Sequence, residues 1–123
     1  MKRHTWLLAL VFAIALAAPA LAADITGKWT ASFDTQIGVQ SYTYEFTVKD
    51  GALTGKAKSQ NGESAIAEGK VDGDKVTFVE NLSFQGMDLR ITYTGKIVTD
   101  DEIKFTRNVA DFATEELVAK RAK

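Results

Sequence analysis

Two charged residues, Glu80 and Arg107, interrupt otherwise apolar faces of the sequence pattern. Glu80 alternates in step with Phe78 and Leu82, and Arg107 alternates in step with Phe105. Charged side chains are rarely buried without a partner. If both side chains point inward, they either form a structural ion pair or present a polar anchor to a ligand. Both interpretations stay open on the sequence alone.

The three tyrosines of the chain fall on the apolar faces of their own runs. Their hydroxyl groups are therefore candidates to join the charged pair inside the molecule. A carboxylate, a guanidinium and hydroxyls can bind the polar part of a small ligand, while apolar neighbours hold the remainder. The predicted ligand-binding residues are Glu80, Arg107, Tyr42, Tyr44 and Tyr93.

Several kinds of catalytic site are excluded by composition. The only histidine is His4, and the chain has no cysteine. Residues 23–123 therefore cannot form a Ser-His-Asp or Cys-His nucleophile, nor a metal site built on imidazole or thiolate. No glycine-rich phosphate-binding motif is present. We expect no catalytic residues, no metal and no cofactor, and a binding protein rather than an enzyme.

Two acidic clusters remain as candidates for metal binding. One comprises Asp100, Asp101 and Glu102, and the other Glu115 and Glu116. Carboxylates are the ligands that Ca²⁺ prefers, but neither cluster has the spacing of an EF-hand loop. We interpret both clusters as solvated surface charge.

The N-terminal segment has the pattern of a secretory signal peptide. Basic residues precede an apolar run at residues 5–17, and small residues follow at 20 and 22. This pattern predicts a signal peptide at 1–22 and a single domain at 23–123. The protein is then exported to the periplasm or the extracellular space, without stable membrane insertion after cleavage.

The expected mature chain carries no block of basic residues. It has 13 basic and 16 acidic side chains, a net charge near −3. A nucleic-acid-binding surface needs clustered Lys and Arg to neutralise phosphates, so we expect no nucleic-acid partner. About 100 residues are enough for one modest hydrophobic core.

Alternation of apolar and polar residues dominates the chain after the leader, which is typical of half-buried strands. Asp50-Gly51 and Asn61-Gly62 are hairpin-turn signals between such runs. In the fourth run, either Ile66 or its alanine neighbours face inward. Residues 111–121 are ambiguous, because their composition indicates a helix whereas their spacing favours an eighth strand.

Seven or eight short strands joined by tight turns predict an all-β fold, an antiparallel up-and-down β-barrel. Closure into a barrel removes the exposed strand edges that would otherwise promote aggregation. Glycines within the runs permit the bends that a small barrel requires.

Gly27 and Trp29 at the start of the first strand, together with Arg121 in the last segment, resemble the calycin pattern of lipocalins, fatty-acid-binding proteins and avidins. The resemblance implies that Trp29 closes one end of the barrel and that the basic residue packs across its ring. Trp29 is the only tryptophan after the leader. The further tryptophans of the avidin biotin pocket are therefore missing, and biotin binding is not expected. The chain also resembles small exported bacterial barrel proteins of unassigned function.

The resemblance implies a lipocalin-like barrel that binds a small hydrophobic or amphipathic molecule. Fatty-acid-binding barrels hold a carboxylate with Arg and Tyr, so an anionic ligand is included in this expectation. The alternative is a protein-binding barrel, such as a secreted protease inhibitor or an envelope interaction module. A lumen with room for a ligand favours the first function, whereas a filled lumen with an apolar outer patch favours the second.

Overall fold

The structure is a computed structural model that describes residues 24–122, with only the backbone described at Phe84. The predicted signal peptide, residues 1–22, lies outside the described residues. Within residues 24–122 there is no helix long and apolar enough to cross a membrane.

Eight antiparallel strands form the fold, as the alternating pattern predicts. Their bounds are β1 Gly27–Thr35, β2 Gly38–Lys49, β3 Ala52–Ser59, β4 Gly62–Asp72, β5 Lys75–Phe84, β6 Met87–Thr99, β7 Glu102–Val109 and β8 Ala113–Arg121. Each strand pairs with the next one along the chain, and β8 pairs with β1 to close the barrel. The predicted all-β up-and-down barrel is confirmed, with eight strands.

Tight turns connect the strands, and they divide between the two ends of the barrel. The turns after β1, β3, β5 and β7 lie at one end. The turns after β2, β4 and β6 lie at the other end, together with both ends of the described chain. In the predicted Asp50-Gly51 turn both residues have positive φ, 52° and 82°, which is the backbone geometry favoured in two-residue hairpin loops.

Aromatic rings fill much of the interior. Phe78 and Tyr93 stack with ring centroids 4.2 Å apart, and Tyr44, Phe46 and Phe105 meet Phe78 edge to face. These rings come from β2, β5, β6 and β7, so the core joins opposite walls of the barrel. Such pairs add to the free energy gained from burial alone.

The eighth strand resolves the ambiguity at residues 111–121. Leu117 and Ala119 are buried, whereas Glu116, Val118 and Lys120 between and around them are exposed. A strand here pairs with both β7 and β1 and satisfies their backbone groups, which a helix cannot do. Tertiary pairing therefore outweighs the helix-forming composition of the segment.

The fourth strand is bent where its pairing shifts. Ile66 faces inward at 8% exposure and Ala65 is exposed, which decides the open question about this run. Gly69 lies where the register shifts against β3 and β5. A Cβ atom at Gly69 would overlap the backbone of Leu53, so only glycine lets the two strands approach this closely.

Candidate functional site

Trp29 closes one end of the barrel. Its side chain is fully buried, and its indole Nε1 donates a 2.9 Å hydrogen bond to the carbonyl oxygen of Ile25. Arg121 lies directly opposite Trp29 in the β1–β8 pairing, and its Cζ atom lies 4.6 Å from the centroid of the indole ring. We call this end, built by Trp29 and Arg121, the sealed end.

Arg121 is held mainly by backbone carbonyl groups. Its guanidinium donates hydrogen bonds of 3.0–3.1 Å to the carbonyl oxygens of Asp24, Thr26 and Asp100. Its Nε atom also lies 3.3 Å from a carboxylate oxygen of Asp101. One side chain therefore ties the first described residues and the turn after β6 to the last strand.

Gly27 makes room for this arrangement. Its φ of 139° lies in a region that residues with side chains rarely adopt. A Cβ atom at this position would lie 3.0 Å from Nη1 of Arg121. The glycine two residues before the tryptophan is thus explained by the space that the arginine occupies.

Glu80 lies in the middle of the barrel, and its side chain is 1% exposed. Its Oε2 atom accepts a 2.8 Å hydrogen bond from the Tyr42 hydroxyl. Its Oε1 atom accepts a 2.8 Å bond from Tyr93 and lies 3.5 Å from Nη2 of Arg107. The predicted proximity of the two charged residues is present, with tyrosine hydroxyls supplying the shorter contacts to the carboxylate.

Arg107 connects Glu80 to a second carboxylate. Its Nε donates to the Tyr93 hydroxyl at 2.8 Å and its Nη2 to the Tyr42 hydroxyl at 2.9 Å. Its Nη1 donates to Oε1 of Glu115. The Cζ atom also lies 5.3 and 5.1 Å from the ring centroids of Phe33 and Tyr42, two rings that stack on each other. Hydrogen bonds to oxygen atoms therefore hold the guanidinium, and the neighbouring aromatic rings add cation–π contacts.

Tyr44 completes the set of linked side chains. Its hydroxyl lies 2.9 Å from that of Tyr93, and Tyr93 uses its own proton toward Glu80. Tyr44 must then be the donor to Tyr93, so each tyrosine proton has an acceptor. We call the linked side chains the polar cluster: Tyr42, Tyr44, Glu80, Tyr93, Arg107 and Glu115.

Burial is the main influence on the tyrosines of this cluster. It raises the pKa of Tyr42, Tyr44 and Tyr93, and the nearby Glu80 carboxylate adds to the rise. Burial alone would lower the pKa of Arg107, but the oxygen atoms of Tyr93, Tyr42 and Glu80 outweigh it and raise the pKa. The tyrosines are thus neutral donors around a charged guanidinium.

A cavity of about 240 Å³ opens at the end of the barrel away from Trp29. Its walls include Leu82, Leu89, Ile91, Val109 and Ala113, and its polar side chains include Gln40, Tyr42, Asn61, Arg107 and Glu115. Ile37, Met87 and Phe112 stand at its rim with 54%, 54% and 69% of their surface exposed. We call this end, with the cavity and its rim, the open end.

The predicted ligand-binding residues divide into two groups around this cavity. Tyr42 and Arg107 line it, whereas Glu80, Tyr44 and Tyr93 do not and lie deeper in the barrel. The deeper three hold the first two in place through the hydrogen bonds of the polar cluster. The structure brings all five together but exposes only two of them to a ligand.

Among the polar residues that line the cavity and were not predicted as site residues, Gln40 and Glu115 are the two with nearly buried side chains. Glu115 was interpreted as solvated charge, and this is wrong, because its side chain is only 9% exposed and pairs with Arg107. Gln40 is 3% exposed, lines the cavity and accepts a hydrogen bond from Asn61. Both residues alternate in step with buried neighbours, Glu115 with Leu117 and Gln40 with Tyr42. That parity was the available signal.

The other acidic residues remain at the surface. Asp100, Asp101 and Glu116 are exposed, and Glu102 lies 3.3 Å from the Lys120 ammonium group. Within the described part of the chain, no three or more acidic, histidine or cysteine side chains are placed to hold a metal ion.

No protein-family model matches this sequence, and no curated protein is significantly similar to it. The fold is similar to solved structures of redesigned β-barrels bound to DFHBI. One of them, mFAP0, matches with a TM-score of 0.57 at 10% identity, over 80% of this chain and 98% of its own. EF1p2_mFAP2b matches with a TM-score of 0.54 at 10% identity, over 86% and 97%. The mFAP1 barrel matches with a TM-score of 0.52 at 11% identity, over 86% and 98%.

Proposed function

We propose that this protein is a small-molecule-binding barrel that takes up a mainly apolar ligand at its open end. The observation that carries the proposal is the cavity of about 240 Å³, enclosed by aliphatic walls with a few polar side chains fixed among them. This combination is typical of ligand sites. The volume lies below the roughly 300–1,000 Å³ of sites for drug-sized ligands, so the occupant is small.

Three features support binding at this end of the molecule. The polar cluster fixes the orientation of Tyr42 and Arg107 before any ligand arrives, which lowers the entropic cost of binding. The rim residues are apolar and exposed, so a ligand can bury them. The barrels with a similar fold are bound to DFHBI, which illustrates that a barrel of this fold can serve as a ligand-binding protein.

Binding without catalysis is the proposed activity. Among the described residues that line the cavity, the ionisable side chains are those of Tyr42, Arg107 and Glu115, and Arg107 donates hydrogen bonds to the other two. We propose further that the protein acts after export, in the periplasm or outside the cell. Intact mass of the exported protein tests this part, and we expect a chain that starts at residue 23 or within a residue or two. A full-length chain in a membrane fraction would contradict it.

Titration with 2-phenylethanol, a neutral single-ring molecule, tests the binding site by amide NMR shifts. The variant Ala113→Phe places a ring in the cavity, and we expect it to abolish binding. Val118→Phe is the matched control, since Val118 lies on the same strand with its side chain on the outer surface. Failure of the wild type to bind, or equal binding by the two variants, would contradict the proposal. Native mass spectrometry of protein from its own host then searches for the natural ligand.

A protein partner is the second candidate. The exposed rim residues Ile37, Met87 and Phe112 favour it, because a protein chain can bury several exposed apolar residues at once. Capture of a host protein by the wild type but not by Phe112→Asp, with no effect of Ala113→Phe, supports this alternative over a small ligand.

A further inference from the structure

We propose that the cavity at the open end selects ligands with a cationic group, small amphipathic amines, over carboxylates. This inference rests on the proposed binding function of the cavity. Two carboxylates, those of Glu80 and Glu115, face a single guanidinium, that of Arg107. Among the described residues that line the cavity, Arg107 and Glu115 are the only ones with charged side chains. The charges of the lining alone cancel, but the polar cluster, which also contains the deeper Glu80, has a formal charge of −1.

Arg107 offers little to an incoming anion. Four of its five N–H groups already donate within the polar cluster: one to Tyr93, one to Glu115, and those of Nη2 to Tyr42 and Glu80. A ligand carboxylate at this position would also lie beside the carboxylate of Glu115, at a cost from like charges in a poorly solvated site. The anionic ligand expected from the fatty-acid-binding resemblance does not suit this arrangement.

Glu115 offers a site for a cation. It lines the cavity with its side chain 9% exposed, and Arg107 bonds to its Oε1 atom. Residues 24–122 donate no side-chain hydrogen bond to its other oxygen, Oε2. A poorly solvated carboxylate with a free oxygen gains from an ammonium donor. An amine bound there also neutralises the excess negative charge of the cluster.

Gln40 provides an independent polar contact. It is 3% exposed, lines the cavity and uses its carbonyl oxygen to accept a bond from Asn61. Within the described residues its amide nitrogen donates no hydrogen bond, so it is free to donate to a ligand. An acceptor group on the ligand would satisfy it. The charge of the polar cluster thus fits a primary or secondary amine on a small hydrocarbon or single aromatic ring, and an amine that also carries an acceptor group would bond to Gln40 as well.

A matched series of ligands tests the charge preference. We expect 2-phenylethylamine to bind the wild-type protein most tightly, 2-phenylethanol less tightly and phenylacetate least, with amine and carboxylate differing on the order of tenfold or more. Calorimetry at neutral pH and low salt measures the three affinities. Equal or tighter binding of phenylacetate would overturn the charge preference while leaving the binding function intact. Failure of all three ligands would overturn both.

The variant Glu115→Gln assigns the preference to one side chain. We expect it to weaken binding of 2-phenylethylamine by about fivefold or more, and binding of 2-phenylethanol by a clearly smaller factor. Measurable alcohol binding in the variant shows that the cavity has survived the substitution. Glu116→Gln is the matched control, because Glu116 is the next residue on β8 and is exposed. An equal loss of amine affinity in both variants, or none in Glu115→Gln, contradicts the assignment.

Discussion

The two ends of the barrel each place an arginine against an aromatic ring, yet the partners of the two arginines differ. Arg121 at the sealed end bonds to three backbone carbonyl oxygens and keeps 26% of its side chain exposed. Arg107 at the open end bonds only to side-chain oxygen atoms and is 5% exposed. The carbonyl oxygens around Arg121 carry no net charge, and its carboxylate neighbour, Asp101, is 64% exposed to solvent. The two carboxylates that pair with Arg107 are nearly buried.

This difference indicates two roles: the sealed end closes the barrel, and the open end is the candidate binding site. Around Arg121 the space that a side chain at Gly27 would need is occupied by the guanidinium, so the end is filled. Beside Arg107 lies a cavity, and the carboxylates exceed the guanidinium by one. Arg107 is held rigidly beside an open cavity, in a cluster with excess negative charge, which suits ligand binding. Arg121 lies in a filled end, where an arginine stabilises the fold. The following predictions test this division.

The sealed end should show the largest loss of stability. We expect Trp29→Ala to lower the free energy of unfolding by about 3–5 kcal/mol, the usual range for truncating a buried aromatic residue. Urea unfolding followed by circular dichroism measures it, since the variant lacks tryptophan fluorescence in residues 23–123. Trp29→Phe serves as the control and should lose less. An unchanged unfolding midpoint in Trp29→Ala would remove Trp29 from the core.

Breaking the buried charge cluster should come next. Arg107→Met leaves Glu80 buried without its guanidinium, and we expect a loss of about 3 kcal/mol, at the low end for a broken buried pair. The loss stays at the low end because Tyr42 and Tyr93 still donate to the carboxylate. Arg107→Met also leaves Glu115 without the guanidinium, so adding Glu80→Gln removes one of the two unpaired carboxylates and should recover part of the loss. Additive effects of the two substitutions would show that the charges do not interact.

The tyrosines report on the same cluster at alkaline pH. All three tyrosines of the chain belong to it, and burial raises the pKa of each above the ordinary value of 10.0. Above pH 10 the unfolded chain loses these protons first, so it binds fewer protons than the native state and stability falls as pH rises. Each tyrosine contributes up to about 1.4 kcal/mol per pH unit.

Near-ultraviolet absorbance of tyrosinate measures this effect directly. In the native protein the absorbance should rise only as the barrel unfolds, whereas in urea it should rise near the ordinary tyrosine pKa. Tyr42→Phe should remove one third of the amplitude in urea. Ionisation of any tyrosine near pH 10 without loss of native circular dichroism would mean that it lies outside the buried cluster.

Much of the fold could be predicted from the sequence because a strand has a period of two. Parity alone places Glu80 and Arg107 inside the barrel, and it places the ambiguous segment around Leu117 in a strand. Glu115 has the same parity as the buried Leu117, but in the sequence analysis it was grouped with its acidic neighbour Glu116 as surface charge. Alternation along the strand was therefore a better predictor of burial than the clustering of acidic residues in the sequence.

The position of a residue along the barrel axis, its height above the sealed end, could not be predicted in the same way. Alternation assigns Tyr42 and Tyr44 to one face, yet only Tyr42 reaches the cavity. Height depends on the stagger between strands, which is set by the turns and by register shifts such as those at Gly69. The partition of the site into lining and supporting residues therefore required the structure.

A smaller loss of stability is expected for Arg121→Ala. The substitution removes hydrogen bonds from a charged group and the contact with Trp29, but the side chain is partly exposed, so we expect about 1–2 kcal/mol. Arg121→Lys keeps the charge and should recover little, because lysine lacks the planar fork that reaches three carbonyls. Binding of 2-phenylethanol should not change. A loss of affinity in Arg121→Ala would contradict the division between the ends.

Phe112→Ala should change stability least of these variants. Unlike Arg121→Ala, it should weaken ligand binding. Phe112 is 69% exposed in the free barrel, so its truncation buries or exposes little in the unliganded fold. We expect the free energy of unfolding to change by no more than about 0.5 kcal/mol. The ring lines the cavity mouth, and a bound ligand would cover it, so affinity for 2-phenylethanol should fall by about threefold or more.

Val118→Ala is the control for this last substitution, because Val118 is also an exposed apolar residue, at 37% exposure, and lies outside the cavity. Like Phe112→Ala, it should change stability little, but it should not reproduce the loss of affinity for 2-phenylethanol. Equal affinities in Phe112→Ala and Val118→Ala would show that the rim takes no part in binding. A loss of stability near that of Arg121→Ala would show instead that Phe112 packs as a second seal. The barrel would then have two closed ends, and the contrast between its two arginines would be one of chemistry without a difference in role.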